Sequence, residues 1–410
     1  MPKLADIKTC TGCLACVDIC PQNALSSCYN CEGHLSYLIN ESLCIDCGLC
    51  EKKCPVVSGF NYGKNVLNES IPYAAWSKDE YLRAKSTSGG IFASLAKYII
   101  EQGGVAIGAH LQNNEVHHIA IDCVDDIYKL QGSKYTQSNT DGIYKIVTSY
   151  LKDGRDVLFS GLGCQVAGML SYIGSKHYPG KLYTVDLICG GVPSRFIIDK
   201  YLQNNDEVKE IVSFRNKGRY EFSIIDKRGC IKVVPIKERP FPLCGFYTEL
   251  THRYSCYDCK FNGAHRKSDM TIGDYWGDTE YREEHLKGIS VAVAHTFKGN
   301  ELLMSSGNTL HRIGWRDFLA HNPRMIDGVK TKYKSKERKY LANAFRSESY
   351  DELLRKYANK ASWKQPFTMI KKIFRYVKGL LEKRLYLIKL NRLIKSYSID
   401  ENSDNHISLF

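Results

Sequence analysis

The chain has 410 residues and a hydrophobic content of 43%, which is enough for two or three domains with cores of their own. No apolar run approaches the roughly 18–20 residues that cross a bilayer. The first residues, MPKLADIKTC, lack the apolar segment of a secretory signal, so a cytoplasmic location is expected. Seventeen cysteines in such a reducing compartment argue against a disulfide framework and in favour of metal or redox chemistry.

Two cysteine runs near the N-terminus have the same spacing. CTGCLACVDICP begins at Cys10 and CIDCGLCEKKCP begins at Cys44, and each ends in proline after gaps of two, two and three residues. This is the spacing of bacterial two-cluster ferredoxins, in which three thiolates wrap one cubane and the fourth reaches the other cluster. The predicted ligands are Cys10, Cys13, Cys16 and Cys54 for one [4Fe-4S] cluster, and Cys44, Cys47, Cys50 and Cys20 for the other.

Zinc is the alternative metal for these runs. Zinc sites are usually built from two CxxC pairs with a longer gap, often with histidine, and a triple CxxCxxC with a trailing CP does not fit that plan. Because all eight thiolates would be ligands, two clusters would conduct electrons and leave no open position for catalysis. Cys28 and Cys31 lie between the runs in a polar stretch, and the sequence leaves open whether they bind a metal or are solvated thiols.

After residue 59, a strand, a glycine-rich loop and a helix recur. STSGGIFASLAKYIIEQGG predicts a helix that starts near Ile91 and ends before Gly103, and VAIGAHL predicts a buried strand after it. DVLFSGLGCQVAGMLSYI and LYTVDLICGGVPSRFIIDKYL each predict a strand, a loop and a helix. Such units build an α/β sheet whose ligand lies beyond the carboxyl ends of the strands.

The glycine-rich loops suit a phosphate, but they are not nicotinamide fingerprints. The helix after Ser88 presents N–H groups and a partial positive charge to an anion, although a plain Ser or Thr cap explains the same residues. None of the loops reads GxGxxG with an acidic residue about 20 positions on, so a flavin phosphate fits better. Further on, FSIIDKRGCIKVVPI predicts a hairpin that turns at 227–229, DMTIGDYWG predicts a strand, and ISVAVAHTFKGNELLMSSG predicts a strand and a short helix.

Five motifs occur in the order expected of one family: STSGG, GSKYTQS, GLGCQ, DLICGGVPS, and RYSCYDCKF with RKSDMTIGDYWG. On these motifs, residues 1–310 resemble the beta subunit of coenzyme F420 hydrogenase/dehydrogenase with a two-cluster ferredoxin fused in front, a plan similar to that of 7-hydroxymethyl chlorophyll a reductase. The expected fold class is α+β or α/β. We expect a ferredoxin domain at 1–58, a flavin-binding α/β region in two parts at 59–150 and 151–329 with a β-rich portion, and a basic helical tail at 330–410.

The resemblance implies an iron–sulfur flavoprotein whose flavin is FAD rather than FMN. A flavin accepts two electrons as hydride and returns them singly to clusters, which suits an exchange between clusters and an organic substrate or coenzyme. The resemblance also implies a third [4Fe-4S] cluster with the ligands Cys164, Cys189, Cys256 and Cys259. Cys164 and Cys189 each follow a predicted strand and so share one edge of the sheet. The alternative is four separate thiols.

The same matching implies a set of cofactor-binding residues, each of which has an equally good structural explanation. They are Ser88, Gly89 and Gly90 at the helix start, Ser133, Lys134 and Tyr135 around the cofactor, Gln165 beside the ring, and Arg266, Asp269, Asp274 and Trp276 on the far wall. The chain reads GLGCQ at 161–165 where the family commonly reads GTPCQ, and losing the proline frees the backbone before Cys164. No residue stands out as a general acid, and neither the deazaflavin coenzyme nor the direction of electron flow is inferred.

The expected partners are a ferredoxin or another redox protein and a small-molecule hydride donor or acceptor, and no nucleic acid. The alternative function is a non-catalytic electron-transfer subunit of a larger redox complex. The resemblance allows a link of this alternative to surface polysaccharide biosynthesis, because some family members are encoded beside genes for surface polysaccharides. Residues 330–396 hold 20 Lys or Arg against 5 Asp or Glu, so the net charge of +13 belongs to the tail. Apolar residues from Ile370 to Ile388 recur near helical spacing, which predicts a basic amphipathic helix that packs on the protein itself, on a partner or on an anionic membrane face.

Overall fold

The computed structural model describes residues 1–59, 69–215, 222–234, 241–247, 249–276, 281–327, 343–345 and 347–355, together with residues 385, 388, 391 and 392. Within these ranges, no helix has the length and apolar composition needed to cross a bilayer. The amphipathic stretch predicted from Ile370 to Ile388 lies outside the described residues except at positions 385 and 388. That prediction therefore stays a prediction.

The first 59 residues form a small domain around the two cysteine runs. Its elements are α1 (Ala15–Asp18), an antiparallel hairpin of β1 (Leu25–Tyr29) and β2 (Leu35–Ile39), and α2 (Leu49–Lys53). Gly12 and Gly48 have φ angles of 65° and 70°. Because glycine adopts positive φ without a steric penalty, each loop turns sharply around its cysteines.

Cys28 and Cys31 belong to the hairpin of this domain. Cys28 lies on β1 and is partly buried, whereas Cys31 is exposed in the turn that leads to β2. The sequence predicts a polar loop here, and the first half of the stretch is instead a strand. The structure leaves the role of the two thiols open.

A mixed eight-stranded sheet forms the centre of the remaining chain, and a smaller three-stranded sheet lies beside it. The strands of the main sheet are β3 (Ile71–Ser77), β4 (Val105–Gln112), β5 (Glu115–Ile121), β6 (Val157–Gly161), β7 (Leu182–Leu187), β11 (Met270–Asp274), β12 (Ser290–Ala294) and β13 (Asn308–Arg312), and those of the smaller sheet are β8 (Val208–Ser213), β9 (Phe222–Asp226) and β10 (Ile231–Val234). The main sheet has the order β13-β3-β12-β11-β7-β6-β4-β5. Strands β4, β6, β7 and β11 are parallel, and the outer pairings are antiparallel.

The main sheet combines the two parts predicted at 59–150 and 151–329. Strand β3, from the first part, pairs with β12 and β13 from the second. Strands β11 and β12, predicted to belong to a β-rich portion, are therefore part of the main sheet, while the predicted hairpin of β9 and β10 lies in the smaller one. The two parts of the predicted region thus share one sheet.

Helices cover both faces of the main sheet. The described helices of this region are α3 (Glu80–Lys85), α4 (Ile91–Glu101), α5 (Ile127–Leu130), α6 (Ile143–Lys152), α7 (Gly163–Ile173), α8 (Phe196–Gln203), α9 (Phe241–Tyr247), α10 (Tyr254–Tyr257), α11 (Arg282–Lys287), α12 (Phe297–Ser305), α13 (Trp315–His321), α14 (Arg324–Asp327) and α15 (Tyr350–Leu353). Ala106 and Leu158 pack with α4, whereas their neighbours Ile107 and Phe159 pack with α6 and α7. Successive strand residues point to opposite faces, so each strand supplies two cores.

The smaller sheet has its own apolar core, and part of the predicted tail contributes to it. Ile198 of α8, Phe222 of β9 and Leu353 of α15 are buried together. Ala344, Phe345 and Leu353 thus pack on the body of the protein, whereas the alternatives given for the amphipathic stretch further along the tail stay predictions.

Three predicted strand–loop–helix units are confirmed, and they determine where a ligand can lie. The helix predicted from Ile91 is α4, and the two later units are β6 with α7 and β7 with α8. Strands β6, β7 and β11 are adjacent and parallel, so their carboxyl ends meet at one edge of the sheet.

Candidate functional site

The eight N-terminal cysteines line two small cavities. One cavity is lined by Cys10, Cys13, Cys16 and Cys54, which we call the proximal cysteine group. The other is lined by Cys20, Cys44, Cys47 and Cys50, the distal cysteine group. Each cavity takes three cysteines from one run and the last cysteine of the other run. This is the grouping that the ferredoxin spacing predicts.

Backbone amides and burial surround these sulfurs. The Gly12 N–H donates to Cys10 Sγ at 3.4 Å, and the Ala24 N–H donates to Cys20 Sγ at 3.2 Å. Burial raises the pKa of Cys13 to about 12, so that thiol needs a metal to be a thiolate near neutral pH. Amide donors to cluster sulfurs are one of the features that tune iron–sulfur clusters. The residues therefore fit two clusters.

Four further cysteines converge at the carboxyl edge of the main sheet. Cys164 lies in the first turn of α7 and Cys189 is the second residue after β7, while Cys256 belongs to α10 and Cys259 is the second residue after it. Burial raises the pKa of Cys164, and Cys259, Cys189 and Cys256 raise it further. The segments that carry them are in contact: a Cβ atom at Gly163, next to Cys164, would collide with the Phe261 carbonyl, two residues after Cys259, and the Arg253 N–H donates to the Val192 carbonyl at 2.8 Å. We call these four residues the third cysteine group.

The third group adjoins the proximal group. Gly168 lies one turn after Cys164 on α7, and a Cβ atom at Gly168 would be 3.1 Å from Cys13 Sγ. The Tyr144 hydroxyl donates to the Cys13 carbonyl at 2.7 Å and lies 3.2 Å from the Gln165 carbonyl. One turn of α7 thus separates the two groups.

Hydrogen bonds fix the small domain on the start of α6, which packs on the main sheet beside α7. The Asp18 carboxylate accepts from the backbone N–H groups of Gly142 and Tyr144 at 2.7 and 2.9 Å, at the start of α6. The Thr140 hydroxyl donates to the Cys13 carbonyl at 2.9 Å. The proximal loop is therefore held directly against the main sheet.

A large cavity opens where β6, β7 and β11 end. Its volume of about 340 Å³ lies within the roughly 300–1,000 Å³ typical of ligand sites. Cys189 of the third group lines it, together with residues from the loops before α4, α6 and α7. A ligand in this cavity would lie beside the third cysteine group.

The start of α4 forms one wall of the cavity. Ser88 and Gly90 line the cavity, and the Ser88 hydroxyl donates to the Ile289 carbonyl at 2.7 Å. Gly89 lies behind them: a Cβ atom there would collide with the Ala75 carbonyl and come within 2.7 Å of the Ser290 nitrogen. The predicted cofactor role fits Ser88 and Gly90, whereas Gly89 is needed for close packing on β3 and β12.

The loop after α5 forms a second wall. The Lys134 ammonium donates to the carbonyls of Leu130 and Gln131 at 3.1 and 2.7 Å, and burial lowers its pKa to about 7. The Tyr135 ring stacks on Phe246 with 4.4 Å between centroids. The Ser133 hydroxyl lies 3.1 Å from the Thr87 hydroxyl. Ser133, Lys134 and Tyr135 all line the cavity, so it combines hydroxyls, a cation and an aromatic surface.

Gln165 lines the cavity but is occupied with the protein backbone. Its Oε1 accepts from the Leu162 N–H and its Nε2 donates to the Ser138 carbonyl, both at 2.9 Å. Gln165 thus holds the loop that carries Cys164. This is a positioning role, and it accounts for the residue without a bond to a flavin ring.

His118 is a cavity residue that the sequence analysis missed. Its Nε2–H donates to the Ser160 carbonyl at 2.8 Å, and its Nδ1 accepts from the Ser138 hydroxyl at 2.7 Å. Burial lowers the pKa of His118 to about 4, so the ring is neutral near pH 7. His118 supports the same loop as Gln165. It lies on β5, beside β4, and its role is visible only from this position in the structure.

The four residues predicted for the far wall are not brought together. Asp274 lines the cavity and forms a bidentate ion pair with Arg215 at 2.6 and 3.1 Å. Arg215, which sequence analysis did not identify, also lies over the Trp276 ring at 5.4 Å from its centroid. Trp276 is thus at the rim of the cavity.

Arg266 and Asp269 lie elsewhere. Arg266 is buried and pairs with Asp186 at 3.0 Å. Asp269 lies at the opposite end of β11 from Asp274, where it accepts from the Thr184 hydroxyl at 2.9 Å. With roughly 3.3 Å per strand residue, Asp269 is too far from the cavity to contact a ligand there.

Comparisons with known proteins agree with this geometry. A 4Fe-4S dicluster domain matches residues 9–57. Two family models describe the beta subunit of coenzyme F420 hydrogenase/dehydrogenase: the model of its N-terminal part matches residues 72–144, and the model of its C-terminal part matches residues 154–309. The dicluster match supports two [4Fe-4S] clusters in the small domain.

The individual relatives are only distantly similar to this chain or match a short part of it. The F subunit of F(420)H(2) dehydrogenase from Methanosarcina mazei is 26% identical over 254 residues, which are 58% of this chain and 70% of that protein. Ferredoxin 7Fe of Hydrogenibacillus schlegelii is 43% identical over 42 residues, 10% of this chain and 47% of the ferredoxin. A chain of the xenon-derivatised F420-reducing [NiFe] hydrogenase complex from Methanosarcina barkeri has 20% identity and a TM-score of 0.41, with coverage of 70% of this chain and 91% of that chain.

The two beta-subunit models follow each other without overlap and together extend from residue 72 to residue 309. The five motifs that carried the resemblance fall within this span. The chain belongs to the family of the coenzyme F420 hydrogenase/dehydrogenase beta subunit and carries an N-terminal 4Fe-4S dicluster domain.

Proposed function

We propose that this chain is an iron–sulfur flavoprotein oxidoreductase. It holds one [4Fe-4S] cluster in each of the three cysteine groups and FAD in the large cavity, and it moves electrons between the clusters and an organic substrate or coenzyme that exchanges hydride with the flavin. The observation that carries the proposal is the order of the groups. The proximal group adjoins the third group at Gly168, and the third group reaches the cavity wall at Cys189.

A flavin is the cofactor that this order requires. Clusters pass single electrons, whereas organic acceptors take hydride, and a flavin converts one into the other. The cavity has the matching chemistry: the start of α4 with Ser88 and Gly90 for a phosphate, the Lys134 ammonium for a negative charge, and the Tyr135 ring for a flat apolar surface. FAD rather than FMN is proposed on the family resemblance.

Anaerobic purification with iron, sulfide and flavin analysis tests the proposal. We expect about twelve irons, in three clusters of four, and one flavin. The Cys189→Ser variant should hold about eight irons with its N-terminal cluster signals intact. A wild-type protein that binds no flavin after reconstitution, or that keeps twelve irons in the variant, would contradict the assignment.

A second candidate is an electron-transfer subunit whose hydride chemistry takes place in a partner. The side chains of Leu43, Ile45 and Leu49 are exposed around Cys47 of the distal group, which is itself exposed. Such an apolar surface beside a terminal cluster suits a redox protein partner. The Methanosarcina mazei relative is one subunit of a dehydrogenase, which is compatible with this alternative.

The isolated chain separates the two candidates. Reduced viologen should reduce the clusters, and hydride acceptors including coenzyme F420 are then supplied in turn. Turnover of any of them by this chain alone supports the oxidoreductase. Rapid reduction of bound flavin without turnover of any acceptor supports the electron-transfer role.

A further inference from the structure

A buried arginine lies between the proximal and the third cysteine groups. Arg253 is only 2% exposed. Its Nη1 donates to the Cys10 carbonyl at 3.2 Å, and its Nη2 donates to the Leu35 carbonyl and to Gln137 Oε1, both at 2.6 Å. All three acceptors are neutral oxygens.

Among the described residues, the other buried arginines have a carboxylate partner, and Arg253 has none. Arg83 pairs with Glu284, Arg215 with Asp274, and Arg266 with Asp186. No carboxylate of the described residues lies within 4.0 Å of the Arg253 guanidinium, and its buried Nε has no hydrogen-bond partner among them. A guanidinium buried without a counter-charge is strongly destabilising. We therefore look for the counter-charge of Arg253 in a bound group and not in a protein side chain.

Arg253 contacts the backbone of both cluster loops. Gly12, between the first two cysteines of the proximal group, leaves the space that Nη2 fills, since a Cβ atom there would be 2.6 Å from it. On the other side, the Arg253 N–H donates to the Val192 carbonyl at 2.8 Å, three residues after Cys189. Arg253 also begins the turn that leads to Cys256. The positive charge thus lies against the loop of the proximal group, and the backbone of Arg253 is bonded to the loop of the third group.

We propose that Arg253 is the counter-charge of the clusters in the proximal and third groups and raises their reduction potentials. A cubane bound by four thiolates is anionic, and it becomes more so when it accepts an electron. A fixed cation beside it therefore favours the reduced form, as partners beyond the ligands tune other metal sites. One electron leaves one cluster and enters the next, and no proton moves because arginine stays protonated.

The inference rests on the proposed function for the third group, whereas the proximal cluster has the support of the dicluster match. EPR-monitored redox titration of the anaerobic holoprotein tests it. In Arg253→Gln the one-electron reduction equilibrium of the proximal cluster should shift on the order of tenfold toward the oxidised form, the effect of one charge at about 10 Å in a protein interior. That is about 59 mV. Arg253→Lys keeps the charge and should restore most of the potential.

Arg195→Gln is the matched control. Arg195 also joins the two parts of the molecule, because its N–H donates to the Gly33 carbonyl at 2.8 Å, but its side chain pairs with Asp199 at 2.8 Å. Its removal should leave the potentials of the proximal and third clusters unchanged. A shift as large as in Arg253→Gln would mean that any loss at this interface perturbs the clusters, and would overturn the proposal.

A second variant covers the case in which Arg253→Gln does not fold. Gln137→Glu places a carboxylate against Nη2 while Arg253 stays in place, and it should shift the proximal potential in the same direction. Unchanged reduction potentials in the folded variants would mean that Arg253 has only a structural role. Iron analysis is independent of this result: about eight irons without a third EPR signal would refute the third cluster, while the proximal potential would still test Arg253.

Discussion

Replacing Lys134 with methionine tests whether the cavity binds an anionic cofactor by means of a buried positive charge. The Lys134 ammonium donates to two carbonyls at the end of α5, and no carboxylate of the described residues lies within 4.0 Å of it. Burial lowers the pKa of this lysine from 10.5 to about 7. Its charge is therefore only marginally retained at neutral pH until a negative group arrives.

The destabilisation caused by the charge of Lys134 can be worked out from the shift of its pKa. At about 1.4 kcal/mol per pH unit, the change from 10.5 to about 7 corresponds to roughly 4–5 kcal/mol as an upper figure. Below pH 7 both the folded and the unfolded chain hold the proton, and the whole cost is present. Between pH 7 and 10.5 only the unfolded chain holds it, so the stability of the flavin-free protein rises with pH. Lys134→Met should abolish that rise.

Cofactor binding should show the opposite dependence on pH. A flavin phosphate restores the charged form of Lys134, so above pH 7 binding takes up a proton. Each pH unit from 7 to 9 should then weaken FAD binding by up to about tenfold. His118, with a pKa of about 4, is neutral throughout this range and does not contribute. In Lys134→Met the affinity should be lower at pH 7 and nearly constant to pH 9.

Fluorescence titration of the flavin-depleted protein with FAD at pH 6, 7, 8 and 9 measures this under anaerobic conditions, with the clusters retained. Lys129→Met is the matched control, because Lys129 lies on α5, the short helix that precedes the Lys134 loop, and pairs with Asp126 at 2.6 Å at the surface. It should keep the wild-type dependence. An equal affinity at pH 7 and pH 9 in the wild type, or the same slope in Lys134→Met, would refute the reasoning.

Three further predictions concern the cysteine groups and the cavity wall. Cys54→Ser and Cys20→Ser should each remove about four irons, and EPR should show that each variant loses a different cluster. Loss of both clusters in each variant would count against a grouping in which each run supplies its last cysteine to the other cluster. Gly168→Val places a side chain in the contact between the proximal and third groups. Stopped-flow measurements should then show slower reduction of the flavin by viologen at unchanged iron content. An unchanged rate would mean that electrons do not pass at Gly168. Asp269→Asn should lower Tm and leave FAD affinity intact, whereas Asp274→Asn should weaken FAD binding, and the reverse result would place the cofactor at the other end of β11.

The features that sequence predicts best are those encoded by spacing. The cysteine runs fix their own grouping because the chain between neighbouring cysteines is too short for other arrangements. The units β6–α7 and β7–α8 are predicted because glycines separate an apolar run from a helical period. The proximity of Cys164 and Cys189 is predicted from the same two units, because the carboxyl ends of adjacent parallel strands meet at one edge of the sheet.

What sequence leaves out is set by tertiary packing. Asp269 and Asp274 belong to one motif, but they lie at the two ends of a strand, and only one end faces the cavity. Gly89 and Gly90 are neighbours, yet one contacts β3 and β12 while the other lines the cavity. The pairing of β3 with β12 joins segments more than 200 residues apart, and no local pattern announces it.

The position of the small domain has a consequence for electron transfer. Asp18 caps the start of α6, Thr140 and Tyr144 hold the Cys13 carbonyl, and Arg253 joins the Cys10 loop to the turn before Cys256. These contacts involve the cluster loops themselves, so packed side chains set the separation of the proximal and third groups. Under the proposed function, electrons would therefore cross between the two groups without a domain motion. The step that limits turnover would then be expected at the two ends of the proposed path, at the distal group and at the cavity.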